Sequence, residues 1–303
     1  MKSSPRITRQ SGLSLVELMV AVTIGLLIAL VVTQAYLTGV GSQRTQTDLT
    51  RIQETSRFAF DLLSKEIRRA GYRNTYLQGS LAQDFCAKSP TNRPIFTGQN
   101  DAASLNLGAV AGTWTILNSS DVLTVSFYGE DNAAGTAADG VLLDCLGNAV
   151  RRNSLVRDTL FVAADVNNNN EPTLFCYSDN KAASGTQYSS TAIALVPGVE
   201  VLQLLYGEDT DGDGVPNRYV PYSGLTAGSL SDGVVSVMAG IVARTPNAVS
   251  TDTTTTAKSF RLFGADYAAT NDGGAVFTAP LDRRIRQITT STIAFRNFPL
   301  CPS

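Results

Sequence analysis

An apolar block of twenty residues near the start of the chain limits the fold more than any other feature of the sequence. It runs from Leu13 to Val32 and contains a single charged side chain, Glu17. Twenty helical residues at about 1.5 Å each span the roughly 30 Å hydrocarbon core of a bilayer. Residues 1–12 carry three basic residues and no acid. We therefore expect this end to stay in the cytoplasm and the rest of the chain to be exported.

Two simpler kinds of apolar segment, a secretory signal and a plain signal anchor, do not explain this block. A secretory signal has an apolar core of about 7–15 residues followed by a small-x-small cleavage site, and this block is longer and lacks that site. A plain signal anchor explains the length but not the acid. A carboxylate inside a bilayer costs about 2–4 kcal/mol, so such an acid is normally kept for a partner.

The residues after the block predict an amphipathic helix that ends at Gly71. Gly71 follows a basic last turn and is typical of a helix C-cap. We predict one helix over about residues 13–70, in which Gly39 and Gly41 are points where it can bend. Its polar face is predicted to contain Arg44, Asp48, Arg51, Glu54, Arg57, Asp61, Lys65 and Arg68. Its buried stripe is predicted to contain Leu49, Ile52, Ser56, Ala59, Phe60, Leu63, Ile67 and Ala70.

Beyond residue 75 the apolar period changes from helical spacing to alternation, which indicates strands. Gly-, Asn- and Thr-rich stretches at 131–140, 167–170, 178–190 and 250–256 are predicted loops. The predicted class is α+β, with a long N-terminal helix packed on an antiparallel head of one or two small sheets. The predicted strands are Val122–Tyr128, Thr159–Ala163, Leu174–Tyr177, Val199–Tyr206, Val234–Val242 and Ile285–Phe295.

Composition argues against several classes of function. The chain has no histidine, which removes a His-based catalytic triad and His ligation of zinc. Its net charge is −2 and its basic residues are not clustered, so we predict no direct contact with nucleic acid. We expect a protein without catalytic residues.

The four cysteines are far apart in the sequence, which favours disulfides over a thiolate metal site. An even count in an exported chain predicts two bridges, and three connectivities are formally open. We favour Cys145–Cys176, because both residues lie at the margins of neighbouring strand segments. Cys86–Cys301 is then the second bridge.

An aspartate-rich loop at residues 209–217 is a candidate calcium site. Its alternating oxygen ligands are of the kind that Ca²⁺ prefers, and a glycine allows the sharp turn. Position 12 of an EF-hand, where a bidentate Glu belongs, is Val220 here, so the EF-hand is incomplete. A solvated polar turn is the alternative, and it is the better interpretation of the similar loop at 165–171. The predicted ligands are Asp209, Asp211, Asp213, the Val215 carbonyl and Asn217.

The run Gly12–Leu13–Ser14–Leu15–Val16–Glu17 resembles the class III signal of type IV prepilins. The resemblance implies that a PilD-type prepilin peptidase cuts between Gly12 and Leu13 and methylates the new α-amine. It also implies that Glu17 neutralises the α-amine of a neighbouring subunit during assembly. Leu13 stands where Phe is usual and Ser14 where Thr is usual, and no proline lies between residues 13 and 89.

Three further segments resemble the PilW family of minor pilins: EIRRAGY at 66–72, the aspartate loop at 209–217 and RRIRQITTSTIAFRN at 283–297. The resemblance implies a type IV pilin-like fold and a role in starting a pilus, at or near its tip. The implied partners are other minor pilins, a PilY-type tip adhesin, the major pilin and the inner-membrane assembly platform.

This resemblance divides the chain into a cleaved leader (1–12), a membrane and fibre-core half-helix (13–41), a head-packed half-helix (42–71) and a β-rich periplasmic head (72–303). Two alternatives stay open. One is a J-type pseudopilin of a type II secretion system. The other is a membrane-tethered, calcium-dependent binding protein or enzyme.

Overall fold

The chain consists of one long helix followed by antiparallel sheets, and it divides into two compact units, Met1–Thr47 and Asp48–Ser303. The computed structural model describes residue 12 and residues 14–73, 96–181, 185, 187–188, 191–225, 233–248, 256–267 and 272–297. The described helices are α1 Leu15–Arg69, α2 Gly108–Ala111 and α3 Gly264–Tyr267, with 3₁₀ turns at Tyr222–Gly224 and Gly273–Ala275. The described strands are β1 Phe96–Gln99, β2 Ser104–Asn106, β3 Thr113–Thr115, β4 Val122–Tyr128, β5 Leu155–Asp165, β6 Glu171–Ser178, β7 Ile193–Pro197, β8 Val199–Glu208, β9 Arg218–Val220, β10 Val234–Arg244, β11 Ser259–Arg261, β12 Val276–Thr278 and β13 Arg286–Ala294.

Helix α1 is continuous over 55 residues, and it passes through Gly39 and Gly41 without a break. It ends where the sequence predicts. Gly71 adopts a positive φ of 72° and its N–H donates to the Ser126 carbonyl at 2.8 Å. A glycine in this conformation has no Cβ to clash with the last turn, which is why it closes the helix.

The buried stripe of α1 differs from the predicted one at its first turn. Asp48 is 8% exposed whereas Leu49 is 40% exposed, so the two residues exchange the faces expected for them. Spacing alone permits either residue. Leu49 precedes Ile52 by three residues and Asp48 precedes it by four, and both separations place side chains on one side of a 3.6-residue helix. The helical period therefore identified the stripe but did not determine which of the two neighbours begins it.

Two larger antiparallel sheets form the head. One has five strands in the order β1-β4-β5-β6-β7, and the other has four strands in the order β13-β10-β8-β9. All six predicted strands are present, and most are one to four residues longer at an end than the pattern indicated. Two small sheets, β2-β3 and β11-β12, are additional. The predicted class, α+β with a long helix and antiparallel sheets, is confirmed.

The main core lies between the helix and both larger sheets. Ala59, Leu63 and Ile67 of α1 are fully buried there. The core also contains side chains from β4, β5, β6, β8 and β10, so one helical stripe covers residues of both sheets. At about 25 cal/mol for each Å² of apolar surface removed from water, this stripe is a major source of head stability.

Asp121 also joins the two sheets at the start of β4. Its backbone N–H donates to the Leu202 carbonyl at 2.7 Å, and its carboxylate accepts from the Leu204 N–H at 2.7 Å. Leu202 and Leu204 both lie on β8, which belongs to the other sheet. Burial raises the pKa of Asp121 well above its usual value. A buried carboxyl group held by backbone amides thus fixes the spacing of the two sheets.

Candidate functional site

The start of α1 carries its own N-cap. The Glu17 N–H donates to the Ser14 hydroxyl oxygen at 3.2 Å, and the Leu18 N–H donates to the Ser14 carbonyl at 3.1 Å. Ser14 followed three residues later by Glu17 is the sequence of a capping box. The carboxylate also lies in the first turn, where the helix dipole favours negative charge. Gly12 is described beside this turn, whereas Leu13 lies outside the described residues.

The large apolar side chains of α1 in the first unit are exposed from Leu15 to Leu37. Leu18, Leu26 and Val32, for example, expose 58–66% of their surface. Among the described residues, α1 is the one helix long and apolar enough to cross a membrane. A stripe of this size is not left in water by a stable protein. The segment therefore needs lipid or other apolar helices around it.

The other end of α1 contains a buried ionic cluster made by Glu66, Arg69 and Asp158. The Arg69 guanidinium donates to the carboxylates of Glu66 and Asp158 and to the Leu143 carbonyl. Its carbon Cζ lies 4.3 Å from the centre of the Phe127 ring. All three charged residues are less than 9% exposed. One cation therefore serves two carboxylates in the interior.

This imbalance of charge changes the proton affinity of the acids. Burial raises the pKa of Glu66 to about 8 and that of Asp158 to about 6, against the opposing effect of Arg69. At neutral pH the cluster therefore holds a proton on Glu66. This proton limits the net charge that the interior must carry.

Cys145 and Cys176 are joined by a disulfide, with their Cα atoms 6.4 Å apart. This is the pairing that the sequence analysis favoured. The Cys145 N–H donates to the Asp158 carboxylate at 2.7 Å, so the bridge attaches the 141–150 excursion directly beside the ionic cluster. Cys86 and Cys301 lie outside the described residues.

The aspartate loop folds around its first acid. The Asp209 carboxylate accepts backbone N–H groups from Asp211, Gly212 and Gly214 at 3.2, 2.7 and 2.8 Å. These bonds, with that from Gly214 the largest contribution, lower the pKa of Asp209. One carboxylate oxygen from each of Asp209, Asp211 and Asp213 lies within 4.8 Å of the others. The structure thus brings the three predicted acidic ligands together.

The remaining predicted ligands are less available to a cation. The Asn217 side-chain oxygen accepts from the Thr210 N–H at 2.6 Å and from the Thr210 hydroxyl at 2.9 Å. Val215 contributes its N–H to the Asp213 carboxylate at 2.8 Å. Glu208, which could complete a ligand shell, instead pairs with Arg218 at 2.6 Å. Three carboxylates suit Ca²⁺ chemistry, but they do not form a complete shell by themselves.

A second ionic network ties the C-terminal run to the rest of the head. Arg244 bridges Glu171 at 2.8 Å and Glu200 at 2.9 Å. Arg286 bridges Glu200 at 2.5 Å and Asp282 at 2.7 Å. Arg284 also contacts Glu171, at 3.1 Å. Burial by itself would raise the pKa of Glu171. The neighbouring guanidiniums of Arg244 and Arg284 outweigh this effect, so the pKa of Glu171 is lowered. The network connects β6, β8, β10 and β13.

Comparison with known families gives two matches. The model of PilW, described as type IV pilus-assembly protein W, matches residues 159–297. The prokaryotic N-terminal methylation motif matches residues 7–33. These two matches together support a PilW-type minor pilin. A type IV-like pilin from Thermus thermophilus resembles it in structure, with 14% identity and a TM-score of 0.40 over 82% of this chain and 98% of that chain. None of the curated proteins matches.

Both matched regions of the chain now have a structural interpretation. The methylation motif covers Gly12 to Glu17 and most of the exposed apolar helix, which fits a membrane-anchored chain of a type IV pilus system. The PilW match covers the aspartate loop, the Arg244 network and β13. The ionic cluster joins the end of α1 to the five-stranded sheet, because Arg69 is on the helix and Asp158 is on β5.

Sequence reasoning missed the cluster as a site. Glu66 follows Leu63 by three residues and precedes Ala70 by four, so the spacing of the stripe already indicated its burial. The partner Asp158 had no such signal, because it comes from β5, 89 residues after Arg69. Contacts between positions so distant depend on the sheet order, which the local pattern does not contain.

Proposed function

We propose that the chain is a non-catalytic minor pilin that helps to initiate a type IV pilus and lies at or near its tip. The proposal rests on the exposed apolar helix of the first unit. Its apolar helix has one acid, Glu17, in its capped first turn and exposes its apolar side chains on all sides. Such a helix is suited to packing among other helices, first in a membrane and then in a fibre.

The role of Glu17 follows from the proposed processing. Removal of residues 1–12 leaves a positive α-amine on Leu13, next to an apolar stripe. A neighbouring subunit's Glu17 neutralises this amine in a medium of low dielectric constant. Such a pair specifies register more than it adds stability, because both charges are desolvated. The partners are other minor pilins, the major pilin, a PilY-type adhesin and the inner-membrane assembly platform.

The position at the tip follows from the size of the second unit. Residues 48–303 contain two larger sheets and two small ones, which is a bulky head for a subunit that must pack in a shaft. At the tip, no subunits lie above it to be obstructed. Before assembly, the head is periplasmic and the helix is anchored in the inner membrane.

The test of processing is the intact mass of the protein purified from membranes. We expect the parent chain to have lost residues 1–12 and gained one methyl group. Gly12→Val should block the cut without disturbing the fold, because a Cβ at Gly12 meets no atom within 4 Å. Ser11→Ala is the matched control and should be processed normally. An uncut parent chain would rule out the pilin pathway and leave a plain signal anchor.

The test of location is labelling of an epitope tag placed on the head of the processed protein. Label confined to fibre ends supports the tip, and label spread evenly along the shaft contradicts it. If removing the protein from the cell abolishes protein secretion but leaves the pili intact, the protein is a type II secretion pseudopilin instead.

A further inference from the structure

Strands at the edge of a sheet carry unpaired N–H and C=O groups, and proteins protect such edges from association. Three of the four described edges of the two larger sheets are protected. β7 contains a register shift opposite Leu174 and Phe175 and ends at Pro197. β9 is only three residues long. β1 is described over four residues, and the ring of its Phe96 packs edge-on against the Tyr222 ring, with 6.4 Å between the ring centres.

The fourth edge, β13, has none of these protections. It is nine residues long and pairs with β10 over its whole length without a register shift. It contains no proline or glycine, and no charged residue lies between Arg286 and Arg296. A long, regular and uncharged edge is a template for pairing with another strand.

The direction of its free backbone groups follows from the bonds at its two ends. The Thr245 N–H donates to the Ile285 carbonyl at 2.9 Å, and the Phe295 N–H donates to the Val235 carbonyl at 3.1 Å. Because antiparallel bonding alternates, the odd-numbered residues between them face β10. The even-numbered residues Ile288, Thr290, Thr292 and Ala294 face away. Within the described part of the chain, no strand pairs with that side.

The side chains and flanking charges define what fits this edge. Thr290, Thr292 and Ala294 are exposed, so neither bulk nor charge obstructs an approaching strand. Arg283 and Arg296 lie beyond the two ends of β13, both are exposed, and no ion pair to either is found among the described residues. At about 3.3 Å per residue, a strand of roughly eight residues spans the uncharged stretch.

We propose that the outer edge of β13 binds an extended, uncharged strand of a second polypeptide whose ends carry acidic residues. Backbone hydrogen bonds to Ile288, Thr290, Thr292 and Ala294 supply the affinity. Arg283 and Arg296 fix the register of the bound strand through charge complementarity. This surface goes beyond the role of the apolar helix in the fibre, because it lies on the head and requires no membrane.

The test uses the full-length protein in detergent micelles and a blocked, fluorescein-labelled peptide, Asp-Thr-Val-Thr-Val-Thr-Val-Thr-Val-Asp. We expect saturable binding by fluorescence anisotropy. Two control peptides carry N-methyl groups, one on all its valine amides and the other on all its threonine amides. Only one set of amides faces β13, so one control should lose binding and the other should keep it. No saturable binding, or equal binding of both controls, overturns the proposal.

Variants of the protein locate the site. Thr290→Pro removes an outward N–H and leaves the bonds to β10 intact, because proline is tolerated at such edge positions. We expect it to weaken peptide binding about tenfold, the effect of losing roughly one hydrogen bond. Ala194→Lys places a charge on the edge strand β7 and should leave binding unchanged. Equal weakening by Ala194→Lys would overturn the assignment to β13.

The binding assay does not depend on the proposed function. Processing, fibre assembly and tip location play no part in the binding assay. The peptide can therefore fail to bind while the tests of processing and location succeed, and it can bind while those tests fail. If Thr290→Pro lowers the unfolding temperature of the head, the pair of N-methylated peptides still decides the question on the parent protein.

Discussion

Arg69 shows how a single side chain determines the chemistry at the end of a helix. Its guanidinium lies over Phe127 and donates to two carboxylates and a carbonyl, all inside the head. Removing such a group would leave two buried acids without a cation, which typically costs about 3–5 kcal/mol. The same geometry keeps the carboxyl group of one acid, Glu66, protonated at neutral pH. Stability of the head therefore depends on pH.

The sign of that dependence follows from the raised pKa of Glu66. The unfolded chain releases this proton near pH 4.5, whereas the folded chain keeps it up to about pH 8. The stabilising contribution is complete below pH 4.5 and is lost as pH rises to 8. The raised pKa of Asp158, about 6, adds a change of the same sign. We expect the unfolding temperature of the full chain in detergent to fall between pH 5 and pH 8.

Glu66→Gln should flatten this profile, because an amide resembles the protonated acid. At pH 8 the variant should be more stable than the parent, by a difference on the order of 1–3 kcal/mol. Asp61→Asn, on the exposed face of the same helix, is the control and should leave the profile unchanged. A variant that is less stable than the parent at pH 8 would show that Glu66 is ionised in the folded state.

The calcium site at residues 209–217 stays a prediction, and its residues permit a selective test. Asp213→Asn removes one charge but keeps an oxygen to accept the Val215 N–H. Asp209→Asn is less informative, because Asp209 holds three backbone amides of the loop. We expect millimolar Ca²⁺ to raise the unfolding temperature of the parent and to have little effect on Asp213→Asn. An unchanged parent at millimolar Ca²⁺ would identify a polar turn.

At the scale of elements, the sequence predicts those that have a strong period. The long helix and the strands β4, β5, β6, β8, β10 and β13 are found where alternation or helical spacing is clear. Short strands such as Phe96–Gln99 and Arg218–Val220 were missed, because three or four residues cannot show a period. Their formation depends on pairing with a longer strand, β4 or β8, and so on tertiary structure.

The 141–150 excursion is an element whose position depends on a covalent bond. The disulfide Cys145–Cys176 closes a segment of 31 residues and holds the Leu143 carbonyl and the Cys145 N–H against the Arg69 cluster. Replacing both cysteines by alanine should lower the free energy of unfolding by about 3–4 kcal/mol.

Thermal unfolding of the oxidised parent, the reduced parent and the double variant measures this loss. We also expect faster proteolysis within residues 141–150 in the variant, because the disulfide no longer restricts local opening there. If the variant and the parent unfold at the same temperature, the ionic contacts alone hold the excursion.

At the scale of the whole molecule, the two units have different sources of stability. Residues 48–303 bury a core shared by the helix and both larger sheets. In the first unit, the apolar side chains of the helix are exposed, so its stability comes from lipid or from other subunits. A change in the first unit should therefore affect assembly while leaving the fold of the head intact.

Glu17 provides the strongest test of this separation. It lies in the first turn of α1, far along the chain from the head-packed residues that begin at Asp48. We expect Glu17→Gln to leave the unfolding temperature of the head unchanged, because no contact inside residues 48–303 is altered. Incorporation into fibres should fall more than about tenfold, since a buried α-amine would lose its counter-charge. The measurement compares the amount of the protein in sheared fibres with the amount in membranes, and Glu54→Gln is the control. Normal incorporation of Glu17→Gln would mean that the acid serves the first turn of the helix and not the assembly of subunits.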